Sequence, residues 1–326
     1  MNNIVDERLI ISEFFQTMHQ SGIFPRNEFT PITDGKLHRF AVEGDRYGST
    51  SGAYFLHINE WPNWGFQDWH RGTVWYKFKL SKEATGYHKP TREEYLRKQA
   101  ESERRKQEDM KRQKESEQAA ILTAYSLWRS DSINHNVEDI NQNPYMQFKQ
   151  ISLPPHCYAG INSENSLLFP LYDSLSGKFR TIQFVSPPDS DGHSSKRFYA
   201  GISTKGVWYP IRQFKGDTVF ITEGIVTALS VDEFTHRECS VAAAMNCGNL
   251  LEVCKNYRTR LNEARLHNPN LQNQKIVIAA DNDRNDAGKI AAEKVIEAGF
   301  ADSYTMPKKQ GMDWNDYINF LKRTEK

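Results

Sequence analysis

Three carboxylates stand at the ends of apolar runs in the second half of this 326-residue chain. Val219-Phe220-Ile221-Thr222 leads into Glu223-Gly224, and Ile276-Val277-Ile278-Ala279-Ala280 leads into Asp281-Asn282-Asp283. Short apolar runs bounded in this way are strand signals, and in α/β sheets ligands sit beyond the carboxyl ends of the strands. An Asp-x-Asp pair leaving one strand can aim two carboxylates at one point, and a glutamate from another strand can add a third. Hard oxygen donors of this kind suit Mg2+ (or Mn2+), and paired ions can activate an attacking oxygen while neutralising a leaving one. Gly224 lets the chain turn sharply into the next helix and lets a phosphate approach that helix end. Taken singly, acids at strand ends also serve as helix caps, so the ordered combination is what carries weight.

To meet at one edge, these acids need a sheet whose strands run the same way. Apolar runs over 218–222, 240–244, 275–280 and 303–306 alternate with helical segments over 225–233, 249–264, 287–298 and 314–321. That alternation predicts an α/β domain with a mostly parallel, Rossmann-like sheet over residues 216–326. Ahead of it, in a basic subdomain over 131–215, strand-like runs at 167–172 and 179–185 flank the turn 173–178 and predict a hairpin. A charged run over 92–118, with Thr91 and Glu94 at capping-box spacing and Glu101/Arg105 and Glu108/Arg112 at i,i+4, predicts a solvated helix. Continued to Trp128 within a linker over 89–130, it would be on the order of 55 Å long, enough to hold two domains apart. A partly disordered linker is the alternative reading of the same charge run.

Residues 1–88 have a different texture. Leu9, Ile10, Phe14, Phe15 and Met18 have helical spacing, and a glycine- and aromatic-rich stretch follows. Its clearest strand is 74–80, where alternation puts Val74, Tyr76, Phe78 and Leu80 on a core face and Trp75, Lys77 and Lys79 on the other.

The Glu223-Gly224 and Asp281-Asn282-Asp283 motifs, in this order, resemble the Toprim signature of bacterial primases, topoisomerases and OLD-type nucleases. The stretch from Ala242 through Met245 and Asn246 to Leu250 resembles the turn between those motifs in primase-like proteins of phages and conjugative plasmids. Gly311-Met312-Asp313-Trp314-Asn315-Asp316 resembles their late acidic motif. The resemblance covers about residues 140–320. It implies a Toprim catalytic domain in which Glu223, Asp281 and Asp283 hold the metal and act in catalysis, and Asp313 and Asp316 add a further cation or nucleotide contact. It further implies that Arg180, Lys196 and Arg197 touch substrate phosphates, with Gly224 and Asn246 in the nucleotide site. The replicative primases carry an extra acid four residues after the glutamate, where this chain has Thr227, so a third metal position is in doubt.

Among Toprim chemistries, a topoisomerase needs a cleavage domain and strand-passage machinery for which this chain is too short. An OLD-type nuclease is normally paired with an ATPase, and no Walker-type phosphate loop occurs here. Primases place a nucleic-acid-binding zinc ribbon ahead of the core. Residues 30–88 occupy that place without cysteines, so for the domain over 1–88 a β-rich, zinc-ribbon-like fold lacking zinc ligands is expected, and no zinc. There Trp61, Trp64, Phe66, Trp69, His70, Arg71 and Trp75 offer packing or stacking surface. Trp75, beside Lys77 and Lys79, is the best candidate for stacking single-stranded bases, while His38 and Arg39 read as ordinary surface residues.

Lys and Arg (42) nearly balance Asp and Glu (41), so a polyanionic partner must be met by local charge. Cys157, Cys239, Cys247 and Cys254 form no C-x-x-C pair, and neither a signal-like N-terminus nor a membrane-length apolar run occurs. The expectation is a cytoplasmic enzyme making primers on single-stranded DNA from nucleoside triphosphates, by in-line attack of a 3′-hydroxyl with release of pyrophosphate. A separate replicative helicase is the expected partner and no membrane is. The alternatives are a Toprim nuclease and a non-catalytic nucleic-acid-binding accessory protein of a phage or plasmid system.

Overall fold

Ile10, Phe14 and Met18 recur at the 4-residue spacing that lines one side of a helix, and they form the buried stripe of α1 (Glu7–Gln20). That stripe covers an antiparallel sheet of β1 (His38–Phe40), β2 (Gly52–His57), β3 (Asn63–Asp68) and β4 (Tyr76–Lys79), joined in sequence order. Phe14, Tyr54, Trp64 and Phe66 fill the space between them, and Trp64 Nε1 donates to Thr17 Oγ1 at 2.8 Å. Trp64 and Phe66 are thus core residues rather than stacking surfaces. Tyr76 and Phe78 pack on this core, as alternation predicts. Val74, expected beside them, is exposed, because β4 begins only at Tyr76 and alternation has no hold on the residues before it. The structure, a computed structural model, describes residues 7–58, 62–72, 74–79, 91–132, 136–282, 284 and 286–324, so Trp61, Leu80 and Asp283 lie outside the described residues. Its two compact units are Met1–Glu103 and Arg104–Lys326.

The charged run is the helix α2 (Arg92–Ser132), with ion pairs one turn apart at Arg104–Glu108 and Lys111–Glu115. Its last turns change character: Ala124 and Trp128 are buried against Leu168, Ile182 and Phe184 of the second unit's sheet and against Ile202 of the loop after its strand Lys196–Phe198.

That sheet has nine strands: β5 (Gly160–Ile161), β6 (Leu167–Asp173), β7 (Phe179–Val185), β8 (Lys196–Phe198), β9 (Val207–Arg212), β10 (Thr218–Thr222), β11 (Ser240–Ala243), β12 (Lys275–Ala279) and β13 (Ser303–Thr305). The order is β13-β12-β10-β11-β9-β6-β7-β8, with β5 beside β6. Strands β10 to β13 pair in parallel, whereas β9 runs antiparallel to β11 and every pairing beyond it is antiparallel. The sheet as a whole is therefore mixed, and its parallel part, β10 to β13, is the portion contributed by residues 216–326. The reason lies in the connections. The 173–178 turn is too short for anything but a hairpin, while α5 (Ile225–Phe234), α6 (Leu250–Arg265) and α7 (Ala287–Glu297) are the crossovers that parallel neighbours require.

Both faces of the parallel half are covered, which is why its strands are apolar runs without alternation. Val219, Ile221, Ile276 and Ile278 pack under α6 and α7, and Val241, Ala243 and Ala279 pack with α5 and α8 (Trp314–Thr324). Helix α5 is buried at each position from Ile225 to Asp232, and its polar Ser230 and Asp232 are partnered: Ser230 Oγ donates to Val226 O at 2.9 Å and Asp232 pairs with Arg212 at 3.4 Å. Two short helices, α3 (Val137–Gln142) and α4 (Pro144–Lys149), add Ile140, Tyr145 and Met146 to the α5/α8 side.

Candidate active site

Register brings the acids together. Thr222, the last residue of β10, lies opposite Ala279, the last residue of β12, so Glu223 and Asp281 leave neighbouring parallel strands at the same edge. After Asp281 the chain passes through Asp286 (φ 54) into α7, whose second residue is the buried Gly288. A Cβ on Gly288 would lie 2.6 Å from Glu223 Oε1 and 2.8 Å from the Asp281 carbonyl oxygen. The glutamate carboxylate and the Asp281 backbone thus close on one hydrogen-sized gap. The acids were legible in the sequence. The glycine that lets them meet was not, because its only signal is its place one residue inside the helix after Asp-x-Asp.

Gly224 does not make the sharp turn expected of it. Its backbone is extended (φ −125, ψ 159), a conformation open to any residue, and a Cβ there would meet nothing within 4 Å. No sharp turn demands the glycine. It leaves open space above the N-terminus of α5, in a cleft walled by Tyr145, Gln183, Lys196 and Met245.

The late acidic motif is tied to the same edge through backbone. Asn282 N–H donates to Met312 O at 3.2 Å, Gly311 N–H donates to Asn282 O at 2.6 Å, and Asn282 Nδ2 donates to Pro307 O at 2.8 Å. Gly311 has φ 80, in the left-handed region that favours glycine. Asp313 caps α8, its Oδ1 accepting from Asp316 N–H at 2.7 Å. Desolvation and Asp313 raise the Asp316 carboxyl, and Lys149 opposes them.

Among the basic residues, strand parity separates neighbours. Lys196 of β8 shares a face with its cross-strand partner Val185 and reaches the cleft. Surrounding protein mass and the Lys149 ammonium pull its pKa below the usual lysine value, while Asp313 and Asp281 pull the other way. Its side chain is nonetheless solvent-accessible, as befits a group on the wall of a concavity. Arg197 points to the opposite face, 4.3 Å over the Phe184 ring, and Arg180 pairs with Glu117 of α2 at 2.8 Å. Asn246 is exposed at the head of a 3-10 turn (Cys247–Asn249) and makes no side-chain cap. The turn is fixed by the buried Asn249, which accepts from Gly206 N–H at 2.8 Å and donates to Val207 O and Ala244 O at 2.7 and 2.8 Å.

In the first unit, Trp75 is half-buried, 6.0 Å from Phe55, with Lys77 exposed; the side chain of Lys79 lies outside the described residues. Trp69 is exposed under the Arg39 guanidinium at 5.3 Å. His70 stands between Asp45 and Asp68 at 3.6 and 3.5 Å, and His38 pairs with Asp34 at 2.7 Å. Burial pushes the thiols of Cys157 and Cys254 up to about 12, which leaves neither as a nucleophile at neutral pH.

Among the described residues, no three of His, Cys, Asp or Glu stand close enough to share an ion. The donor chemistry fits a hard divalent cation all the same: Glu223 and Asp281 offer carboxylate oxygens, and at Gly288 any Cβ would crowd the Glu223 carboxylate and the Asp281 backbone.

The Toprim domain family matches residues 218–320, which include every strand of the parallel half, so the chain carries a Toprim domain there. The chain is similar to two DNA primases TraC of Escherichia coli. One is 26% identical over 303 residues, 88% of this chain and 19% of that protein, and the other 28% identical over 281 residues, 83% and 23%. The chain thus spans about a fifth of the length of these curated relatives. Of solved structures, a DnaG catalytic core superposes with TM-score 0.42 at 11% identity, covering 63% of this chain and 79% of that one.

Proposed function

We propose that this chain is the catalytic part of a DNA primase, a divalent-metal-dependent nucleotidyltransferase that joins nucleotides into short primers on single-stranded DNA. The observation that carries the reading is the meeting of Glu223 and Asp281 across Gly288 at the strand-end edge of a Toprim domain. Similarity to proteins named DNA primase supports the choice of primer synthesis over a Toprim nuclease. Mg2+ (or Mn2+) held there by Glu223, Asp281 and Asp283 would supply charge neutralisation at the attacking and leaving oxygens. The chain's own residues do the positioning. Lys196, which lines the cleft with Gly224, would hold a substrate phosphate, and the open space over Gly224 would admit one to the N-terminus of α5. In the first unit, Trp75 with Lys77 and Lys79 is the proposed surface on which template bases stack.

The test is to supply the purified protein with Mg2+, single-stranded DNA and labelled nucleoside triphosphates, and to resolve products by length. Short new oligomers should form and fall about 100-fold or more in Glu223→Gln and Asp281→Asn, with melting temperature preserved. Shortening of the template would replace this reading with a nuclease. Absence of any product would leave a binding role in its place.

A further inference from the structure

The ladder between β6 and β9 stops early. Ser174 N–H donates to Gly206 O at 2.9 Å, and Asp173 and Tyr172 lie opposite Val207 and Trp208. In an antiparallel pair the backbone groups turn to the same neighbour at every second residue, so the next bonded pair along this register would be Pro170 with Pro210. Proline has no N–H, and neither residue can donate across. Beyond Tyr172 and Trp208 no pairing joins the two strands, and the same edge of β6 is taken up again only at Leu168, opposite Gly160 of β5.

The loop before β5 bridges the opening with side chains in place of a ladder. Ile211 O accepts from His156 Nε2 at 2.8 Å and from Cys157 Sγ at 3.5 Å, and the Tyr209 hydroxyl donates to Tyr158 O at 2.8 Å. What remains is a cavity of about 430 Å3, a size that suits a small molecule. Tyr158, Tyr172 and Trp208 give it aromatic walls, and Tyr158 is 67% exposed, a large ring left in solvent. His156 and Gln213 give it a hydrogen-bonding edge. A carbonyl only accepts, so His156 Nε2 carries a proton, and in the neutral ring Nδ1 is an acceptor. Gln213 Oε1 is taken by Arg260 Nη2 at 2.8 Å, which leaves the amide N–H groups as donors. Arg212 also lines the cavity, but its charge is spent on the buried Asp232 at 3.4 Å. Walls of this kind suit a flat, uncharged ring that bears both a donor and an acceptor on its edge.

We propose that the opening between β6 and β9 is a nucleobase site, with the base stacked on Tyr158 and Tyr172 and read at its edge by His156 and Gln213. It is separate from the carboxylate cleft. Strand β9 runs antiparallel to β11, so from Trp208 to Gln213 the opening leads away from the strand ends that carry Glu223 and Asp281. The site goes beyond the primase reading and does not depend on it. The base could belong to a free nucleoside or nucleotide, or to an unstacked position of a single strand; stacking and edge bonding are common to both.

Calorimetry on the full chain, in chelator so that no metal loads the carboxylates, tests the site with adenosine, guanosine, cytidine and uridine, their 5′-monophosphates, a single-stranded oligonucleotide and an abasic strand of equal length. At least one nucleoside should bind saturably. Its affinity should fall about tenfold in Tyr158→Ala and several-fold in Gln213→Ala, and stay within about threefold in Tyr158→Trp, which keeps a stacking ring. The matching monophosphate should bind within about twofold of the nucleoside, since Arg212 is engaged. That pattern upholds the site for a free base. If nucleosides fail to bind at about 1 mM, but the oligonucleotide binds more tightly than the abasic strand and Tyr158→Ala removes the difference, the site holds a base of the strand. Affinities unchanged in both Tyr158→Ala and Gln213→Ala at a retained melting temperature overturn the site, as do binding of neither nucleoside nor strand and binding of monophosphates alone. If Tyr158→Ala unfolds, Tyr158→Leu, which keeps bulk without a ring, makes the same comparison.

Discussion

In the parallel half of the sheet, Glu223 and Asp281 are placed by register, because each leaves its strand just beyond the paired residues Thr222 and Ala279. In the antiparallel half, the charged residues sit within strands, and parity decides which face each one serves. Lys196 faces the cleft with Val185, whereas Arg197 faces the α2 side with Phe184, and Arg180, two residues from Ile182, also faces that side and meets Glu117. A charge at a strand end is thus available to chemistry wherever the strands stop together. A charge inside a strand is available only on one face of two, so a cluster of basic residues in sequence is divided by the fold into a cleft-facing part and a helix-binding part.

The largest effect should come from closing the gap on the parallel side. Gly288→Ala puts a methyl group 2.6 Å from Glu223 Oε1 and 2.8 Å from the Asp281 carbonyl, so one of them must move. Displacing a catalytic group by about 1 Å costs on the order of 100-fold in rate. Alanine also gains about 1 kcal/mol of helix propensity over glycine, which limits the loss of stability. Primer synthesis should therefore collapse in a protein that still melts cooperatively. Near-normal turnover in Gly288→Ala would mean that the meeting of the two acids is incidental to the reaction.

Parity predicts the next effect. Lys196→Met should raise the nucleotide KM about tenfold, since a charge-assisted contact to phosphate is lost. Arg197→Met, one residue along, should change it less than about twofold, its loss being a cation–π contact of about 0.5–1 kcal/mol on the far face. Equal effects from the two substitutions would break the distinction between the faces.

How much of this was open to sequence reading follows from the same physics. The helices and strands from residue 218 onward were found to within about three residues at each end, because a sheet covered on both faces makes apolar runs that glycine and polar clusters punctuate. The acids at strand ends followed from strand direction alone. Partners distant in the chain were not legible: Arg180 meets Glu117 across 63 residues, and Tyr145 meets the cleft only through the placement of α4 between β8 and α8. Asn249 gave no signal distinct from its neighbour Asn246, though it alone is buried and stitches β9 to the turn after β11. In the first unit the mixture of buried Trp64 and Phe66 with half-buried Trp75 could not be sorted by composition, since aromatics serve core and stacking alike.

The smallest predicted effect lies at the other end of β12. Asp302 accepts from Ile276 N–H at 2.7 Å and from Arg258 at 2.8 Å, at the start of the strand whose far end delivers Asp281. Burial alone would raise its carboxyl, but these two hydrogen bonds outweigh burial and hold its pKa below the usual aspartate value. A carboxylate with its folded pKa depressed stabilises the fold at pH above its unfolded value and loses that contribution as pH falls through the folded one. Asp302→Asn should therefore lower the melting temperature by about 2 °C at pH 7, a modest figure because the group is partly exposed, and the gap should close below about pH 4. Nucleotide transfer should be unchanged. Asp281→Asn should show the opposite pair of results, with activity lost and the melting temperature kept, since the two aspartates bracket one strand, Asp302 bonded at its start and the proposed metal-holding acid beyond its end.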